Sequence, residues 1–258
     1  MNILITGGNG YIASSIRNTL DSKYNITSLT RQELDITNTS IVQEWFEDKH
    51  FDVVIHTAIS GGSRLKIDSY SAMDNNLKMY YNLLDNSEHF DRFISIGSGA
   101  ELYQLHTPYG LSKEVIRRSM LEKDGFYNLR VFAVFDENEL ETRFIKANIN
   151  RYINKLPMVI YQDKKMDFFY MKDFVKVIQY YLTTQSPIKE FNCTYSTTNY
   201  LSQIATKINS LSNYNVDIIV ENTTPTSDYV GNETPIGITY DGLEVGINHV
   251  YNQLICKI

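Results

Sequence analysis

The sequence holds only two cysteines in 258 residues, Cys193 and Cys256. Two thiols cannot build a disulfide framework, and two reduced side chains are the expectation. Histidine is nearly as scarce, with five residues scattered without ligand spacing, so no metal site is expected. Proline is sparse too, five residues, and 43% hydrophobic with 21% charged residues is ordinary globular composition. That excludes a disordered or collagen-like chain. No apolar run approaches the roughly 20 residues that cross a bilayer. The opening Met1-Asn2-Ile3-Leu4-Ile5-Thr6-Gly7-Gly8 lacks the basic segment of a signal peptide. A cytoplasmic protein without a membrane partner is therefore expected. Positive charge is in deficit, 24 Lys and Arg against 30 Asp and Glu, for a net charge of −6. Nucleic acid wants a basic surface, so it is not an expected partner. A small anionic ligand needs only a few local donors and stays open.

Short apolar runs alternate with helical patterns in the first half. Strands are expected at 2–6, 24–29, 51–57, 93–96 and 129–134, and helices at 10–20, 40–49, 72–84 and 108–121. This alternation predicts an α/β fold, a Rossmann-type doubly wound parallel sheet covered on both faces. The second half is less regular. Helices are expected at 139–153, 171–182 and 201–211, strands at 158–161 and 216–220, and a long loop at 221–235. The expected organisation is a dinucleotide-binding core over 1–155. A mixed C-terminal part over 156–258, interleaved with that core, forms most of a small substrate lobe.

Thr6-Gly7-Gly8-Asn9-Gly10-Tyr11-Ile12-Ala13 follows the first strand and opens the first helix. Glycines let the backbone turn tightly and approach a pyrophosphate. A helix N-terminus offers N–H groups and partial positive charge, and small Ala13 allows close packing. The spacing Gly8-x-Gly10-x-x-Ala13 fits the dinucleotide fingerprint. Residues Gly7 to Ile12 are the expected cradle. Cofactor choice is read at the end of the second strand, where NAD-selective folds carry an acid. Here Thr30-Arg31 stands instead, a pair suited to a 2′-phosphate. NADP(H) is favoured over NAD(H), with Asp35 and Ile36 at the adenine edge.

Tyr109 and Lys113 lie four residues apart, on one face of an expected helix. A phenol at its ordinary pKa of about 10 is a poor acid–base group. A neighbouring ammonium favours the phenolate and brings that pKa toward neutrality. Ser98, just beyond the fourth strand, supplies a hydroxyl to polarise a substrate carbonyl. Arg143, Lys146, Lys164 and Lys165 are the cations available to a diphosphate. His56, on a buried strand, reads as a packed core histidine.

These motifs together resemble the extended short-chain dehydrogenase/reductases that act on nucleotide sugars. The supporting segments are 51–58 and 76–84, which resemble a cofactor-binding strand and its following helix, and 167–173, which resembles a segment near the sugar. The resemblance implies Tyr109 as acid–base, Lys113 as its partner and nicotinamide-ribose ligand, and Ser98 as the carbonyl-polarising hydroxyl. It adds Thr57, Ala58 and Asn76 to the cofactor site and Asp167 to the substrate site. The segment from Thr30 to Asp35 and the loop Ser60-Gly61-Gly62 are similar to 4-keto-sugar reductases of the GDP-fucose synthase kind, which adds Ser60 and Gly61, with Ser98, Glu101, Arg143 and Lys146, to the expected substrate site. That implies NADPH-dependent reduction of a C4 keto group in precursor synthesis for surface polysaccharide. The Cys and His that serve epimerisation in those enzymes are replaced here by the Ser98-Gly99-Ala100-Glu101 segment and Arg143. Reduction without epimerisation follows. Glu101 also resembles the glutamate of 4,6-dehydratases, so an epimerase or dehydratase with tightly held NAD is the first rival. A non-catalytic dinucleotide-binding protein is the second. By analogy with such relatives a homodimer is expected.

Overall fold

The computed structural model describes residues 1–63 and 66–256. The chain forms two compact units: residues 1–130 with 178–191, and residues 131–177 with 192–258. These limits differ from the boundary expected at 155. The chain enters the second unit at Val131 and returns to the first for Ile178–Phe191.

In the first unit, β1 (Asn2–Thr6), β2 (Asn25–Leu29), β3 (Phe51–His56), β4 (Phe90–Ser98) and β5 (Phe126–Val131) join a late strand in one six-stranded sheet. The late strand, Glu190–Cys193, is β9 in chain order, and the sheet order is β2-β1-β3-β4-β5-β9. The pairs of β1 with β2, β1 with β3 and β3 with β4 are parallel. Ile3, Leu4, Ile5, Val54 and Ile55 are fully buried, as a parallel sheet covered on both faces requires. The strand order reverses on either side of β1. The crevice beyond the C-terminal ends of β1 and β3 is where such a sheet takes ligands.

Helices α1 (Tyr11–Leu20), α2 (Thr39–Phe46), α3 (Tyr70–Leu84), α4 (Ala100–Tyr103) and α5 (Pro108–Met120) complete this unit's first part. Thr107 caps α5, its hydroxyl accepting from Gly110 N at 3.0 Å, and Pro108 fills the first turn. One core cluster gathers Leu4, Val54, Phe46, Tyr80, Phe93 and Met120. Phe93 and Phe126 stack at 5.2 Å.

The second unit holds β6 (Val134–Phe135), α6 (Phe144–Ile153), β7 (Met158–Gln162), β8 (Phe169–Tyr170), most of α7 (Met171–Thr183), α8 (Leu201–Asn209), β10 (Ile218–Asn222) and α9 (Leu243–Ile255). β7 pairs with β10 and β6 with β8, both parallel. Ile145, Ile149, Ile160, Ile204, Ile247 and Val250 form its core.

Four differences from the sequence reading have physical causes. The strand expected at 129–134 runs Phe126–Val131, and Val134–Phe135 is a separate strand. Asn128 and Arg130 look solvent-facing in sequence, yet both are buried. The helix expected from 139 starts at Phe144. Side chains instead hold the backbone around the helix start: Asn138 N donates to Asp136 Oδ1 at 2.7 Å, and Lys146 N, in the first turn of α6, donates to Glu139 Oε1 at 3.2 Å. The fourth strand is longer than 93–96, because Phe90 to Arg92 pair with β3. Helix α9 was not expected at all.

Candidate active site

The glycine turn sits at the end of β1. Gly7 adopts φ +74°, and a Cβ there would come within 2.8 Å of Ala58 Cα. Backbone cannot yield at that distance, so only glycine fits. Gly10 N donates to Gly7 O at 2.8 Å and closes the turn. No side chain caps α1 at Gly10, which suits a helix end presented to an anion. Thr6 ties the neighbouring strand ends together. Its carbonyl accepts from the Thr57 hydroxyl at 2.7 Å, and its own hydroxyl meets His56 Nδ1 at 2.9 Å. Burial drives the His56 pKa down to about 3, so this imidazole is a neutral, packed core group.

A cavity of about 540 Å³ opens here. Gly7, Asn9, Gly10, Thr30, Arg31, Asp35, Ile36, Thr57, Ala58 and Ser60 line it. The sequence had named each of these for cofactor or substrate. Gly8, Tyr11, Ile12, Asn76, Tyr109, Lys113 and Gly61 do not line it. Gly8 packs against β2, where a Cβ would meet Ser28 Oγ at 2.7 Å. Gln32 and Leu34, inside the segment from Thr30 to Asp35 that the sequence singles out, also line the cavity, as do Thr37, Asn75 and Met79, which were not foreseen. Thr37 had a signal in the sequence, since Asp35-Ile36-Thr37 is an aspartate two residues before a hydroxyl.

Arg31 extends into solvent but is held. Its guanidinium donates to Asp35 Oδ2 at 3.3 and 3.2 Å. Asp35 Oδ1 accepts from Thr37 N at 3.0 Å and from its hydroxyl at 2.7 Å. The Thr37 hydroxyl foremost, with Arg31 adding, keeps the Asp35 carboxyl below its ordinary pKa.

Ser98 ends β4, and its Oγ accepts from Ala100 N at 3.2 Å, leaving the hydroxyl proton to donate. Lys113 reaches inward from α5, and Nζ donates to Ile96 O, two residues before Ser98, at 2.6 Å. Burial lowers the Lys113 pKa to about 8, against an opposing pull from Glu101. The Tyr109 ring lies against the Gly61-Gly62 loop: a Cβ on Gly62 would come within 2.9 Å of Tyr109 Cζ. Gly62 has φ +74°, and its N–H donates to Asp68 Oδ1 at 2.8 Å. Asn76 joins three segments. It bonds both backbone groups of Ser60, at 2.8 and 3.0 Å, and donates to Ser112 Oγ at 3.1 Å. Its place is thus behind the site, as a brace between the loop and α5.

Glu101 is buried on α4. Asn128 Nδ2 donates to its Oε1 at 2.8 Å, and Arg130 Nε donates to the same oxygen. Oε2 is buried and has no hydrogen-bond partner among the described residues. Neither Asn128 nor Arg130 was foreseen, because alternating polar residues on a strand ordinarily face water.

The remaining candidates belong to the second unit. Asp167 is buried, and its Oδ2 accepts from Gly231 N at 2.7 Å. Burial raises its pKa to about 6. Arg143 stands at the N-cap of α6. The Lys146 ammonium is buried and bound to Glu141 at 2.7 Å and to Glu139 O at 2.9 Å. Burial pushes the Glu139 carboxyl up to about 8. Lys165 lies over the Tyr200 ring. Among the described residues no cluster of His, Cys, Asp and Glu could hold a metal ion, and no helix is long and apolar enough to cross a membrane.

A family model described as the NAD dependent epimerase/dehydratase family matches residues 3–194. The chain belongs to this family. The match takes in the glycine turn, Ser98, Tyr109, Lys113 and Asp167, while α8, β10 and α9 lie beyond it. CDP-abequose synthase of Yersinia pseudotuberculosis is 26% identical over 212 residues, covering 72% of this chain and 75% of that protein. Solved structures share the family fold at lower identity. GDP-mannoheptose C4 reductase from Campylobacter jejuni, with NADP bound, superposes with TM-score 0.77 at 16% identity, covering 98% of each chain. UDP-glucose 4-epimerase of Thermotoga maritima gives 0.80 at 17% identity, covering 100% of this chain and 99% of the other.

Proposed function

We propose that this protein is an NADPH-dependent reductase of the C4 keto group of a nucleotide-linked sugar. The observation that carries the reading is the placement of Lys113. Its ammonium is drawn to Ile96 O at the end of β4, beside Ser98 and one helical turn from Tyr109. The strained Gly7 turn, the uncapped α1 and the cavity beside Arg31 suit a dinucleotide. When bound, the reduced nicotinamide supplies the hydride that the carbonyl carbon receives. The Ser98 hydroxyl donates to the carbonyl oxygen, and Tyr109 delivers the proton that completes the alcohol. Lys113, as an ammonium, favours the phenolate that Tyr109 leaves behind. Arg31 meets the 2′-phosphate. The likeness to a C4 reductase with NADP bound supports this assignment.

Glu101 bears on the dehydratase alternative. One carboxylate oxygen is committed to Arg130 and Asn128, which suits a structural charge better than a substrate base. The epimerase reading draws support from the likeness to UDP-glucose 4-epimerase. The two separate on the cofactor. Denaturing fresh protein and identifying any released dinucleotide should yield an empty site that prefers NADPH over NADH. Stoichiometric, tightly held NAD would favour the internal redox cycle of an epimerase or dehydratase. With a 4-keto sugar nucleotide as substrate, Tyr109→Phe should lower kcat by roughly 10²–10⁴-fold, the usual share of a general acid. Full turnover in that variant would end the reading.

A further inference from the structure

Lys113 is a cation with 7% of its surface exposed, and its hydrogen bond to Ile96 O meets a neutral acceptor. A buried ammonium sheds its proton unless a negative charge stands near it. The groups facing it come from three elements. His56 on β3 is held neutral by burial. Arg130 and Asn128, on β5, both bind the carboxylate of Glu101. Glu101, on α4, is the acid beside it: Lys113 Nζ binds Ile96 O, and the next residue, Gly97, abuts the Asn128 amide that grips Glu101; a charge on Glu101 raises the Lys113 pKa.

We propose that Glu101 is a positioning residue whose buried carboxylate supplies the counter-charge that keeps Lys113 an ammonium. Its functional meaning rests on the reading of Lys113 as the partner of Tyr109. Three features of the site suit this role. Burial pushes the Glu101 carboxyl above its ordinary pKa, and Arg130, buried, permanently charged and shared with Glu190, opposes that and favours the carboxylate. Asn128 and Arg130 both grip Oε1, which fixes the carboxylate in place. Gly97 makes room for that grip: a Cβ there would come within 2.5 Å of Asn128 Oδ1.

The test reads the amine itself. Lysine labelled with ¹³C at Cε is incorporated into the full chain, with and without saturating NADP, and Lys113 is assigned by its loss in Lys113→Met. Its titration midpoint, near 8 in the parent, should fall in Glu101→Gln by roughly one unit or more, tenfold in proton affinity. Glu101→Asp, which keeps the charge, should return the midpoint toward the parent value. An unchanged midpoint in Glu101→Gln overturns the proposal. Should that variant not fold, Glu101→Gln with Arg130→Met removes the buried pair together, and a fall smaller than in the single variant is expected, because a cation leaves with the anion. Failure of the proposed reaction is read separately, by turnover in Tyr109→Phe.

Discussion

Arg31 reaches Asp35 through Nε and a terminal nitrogen, and both residues line the cavity. Any 2′-phosphate at Arg31 therefore competes with a carboxylate for the same guanidinium. Charge-assisted hydrogen bonds of this kind contribute about 1.5–3 kcal/mol, roughly ten- to hundredfold in affinity. Arg31→Ala should weaken NADPH binding by that order while leaving NADH within about threefold. Asp35→Asn keeps the Oδ1 acceptor that Thr37 uses and removes only the charge. It should strengthen NADPH relative to NADH. Nucleotide-fluorescence titration without any sugar checks both, and an unchanged NADPH-to-NADH ratio in the two variants would remove Arg31 as selector. Arg31 was legible in the sequence because it stands two residues beyond the second strand, beside the glycine turn. Its tether was not, since a charge pair four residues apart outside a helix has no sequence period.

At the level of elements, the glycine turn and the alternation of the first half were legible because local chemistry and global fold agree there. Agreement fails where polar residues go inside. Asn128 and Arg130 disguise β5 as a half-exposed strand, though they are buried to hold Glu101. Helix α9 fails differently. Leu243, Ile247, Val250 and Leu254 keep a helical spacing, but Gly246 interrupts it and Asn248 and His249 lower its propensity. The structure explains the glycine. A Cβ on Gly246 would come within 2.7 Å of Phe135 Cζ and 2.8 Å of Tyr170 Cγ, and both rings are fully buried. Propensity alone favours alanine there by about 1 kcal/mol, whereas overpacking a tight core costs about 1–3 kcal/mol. Packing wins on these magnitudes, so Gly246→Ala should destabilise the protein. Urea unfolding checks the sign, and a stabilised variant would show that the rings move aside.

For the molecule as a whole, the chain divides into two compact units, and the sequence does not mark where it crosses between them. The crossing at Val131 falls inside a strand-like run, and the return at Ile178 falls inside helix α7, so neither leaves a break in the pattern. Each unit has its own apolar core, and each buries ionisable groups. In the second unit those groups make stability depend on pH. Burial lifts the Glu139 carboxyl from 4.5 to about 8, and Asp136 nearby pushes the same way. The native state then holds a proton that the unfolded chain releases near its ordinary pKa. This contribution is fully present below about pH 4.5 and is lost as pH rises through about 8. Asp167, raised to about 6, adds a smaller loss at the lower end of that window. The melting temperature of the parent should therefore fall between pH 5 and 8.5. Glu139→Gln keeps an oxygen for Lys146 N and carries no titrating proton, so its curve should be flatter across the same window. Parallel curves for parent and variant would mean that Glu139 titrates normally in the folded protein and that the loss on the alkaline side comes from the net charge of −6 growing more negative.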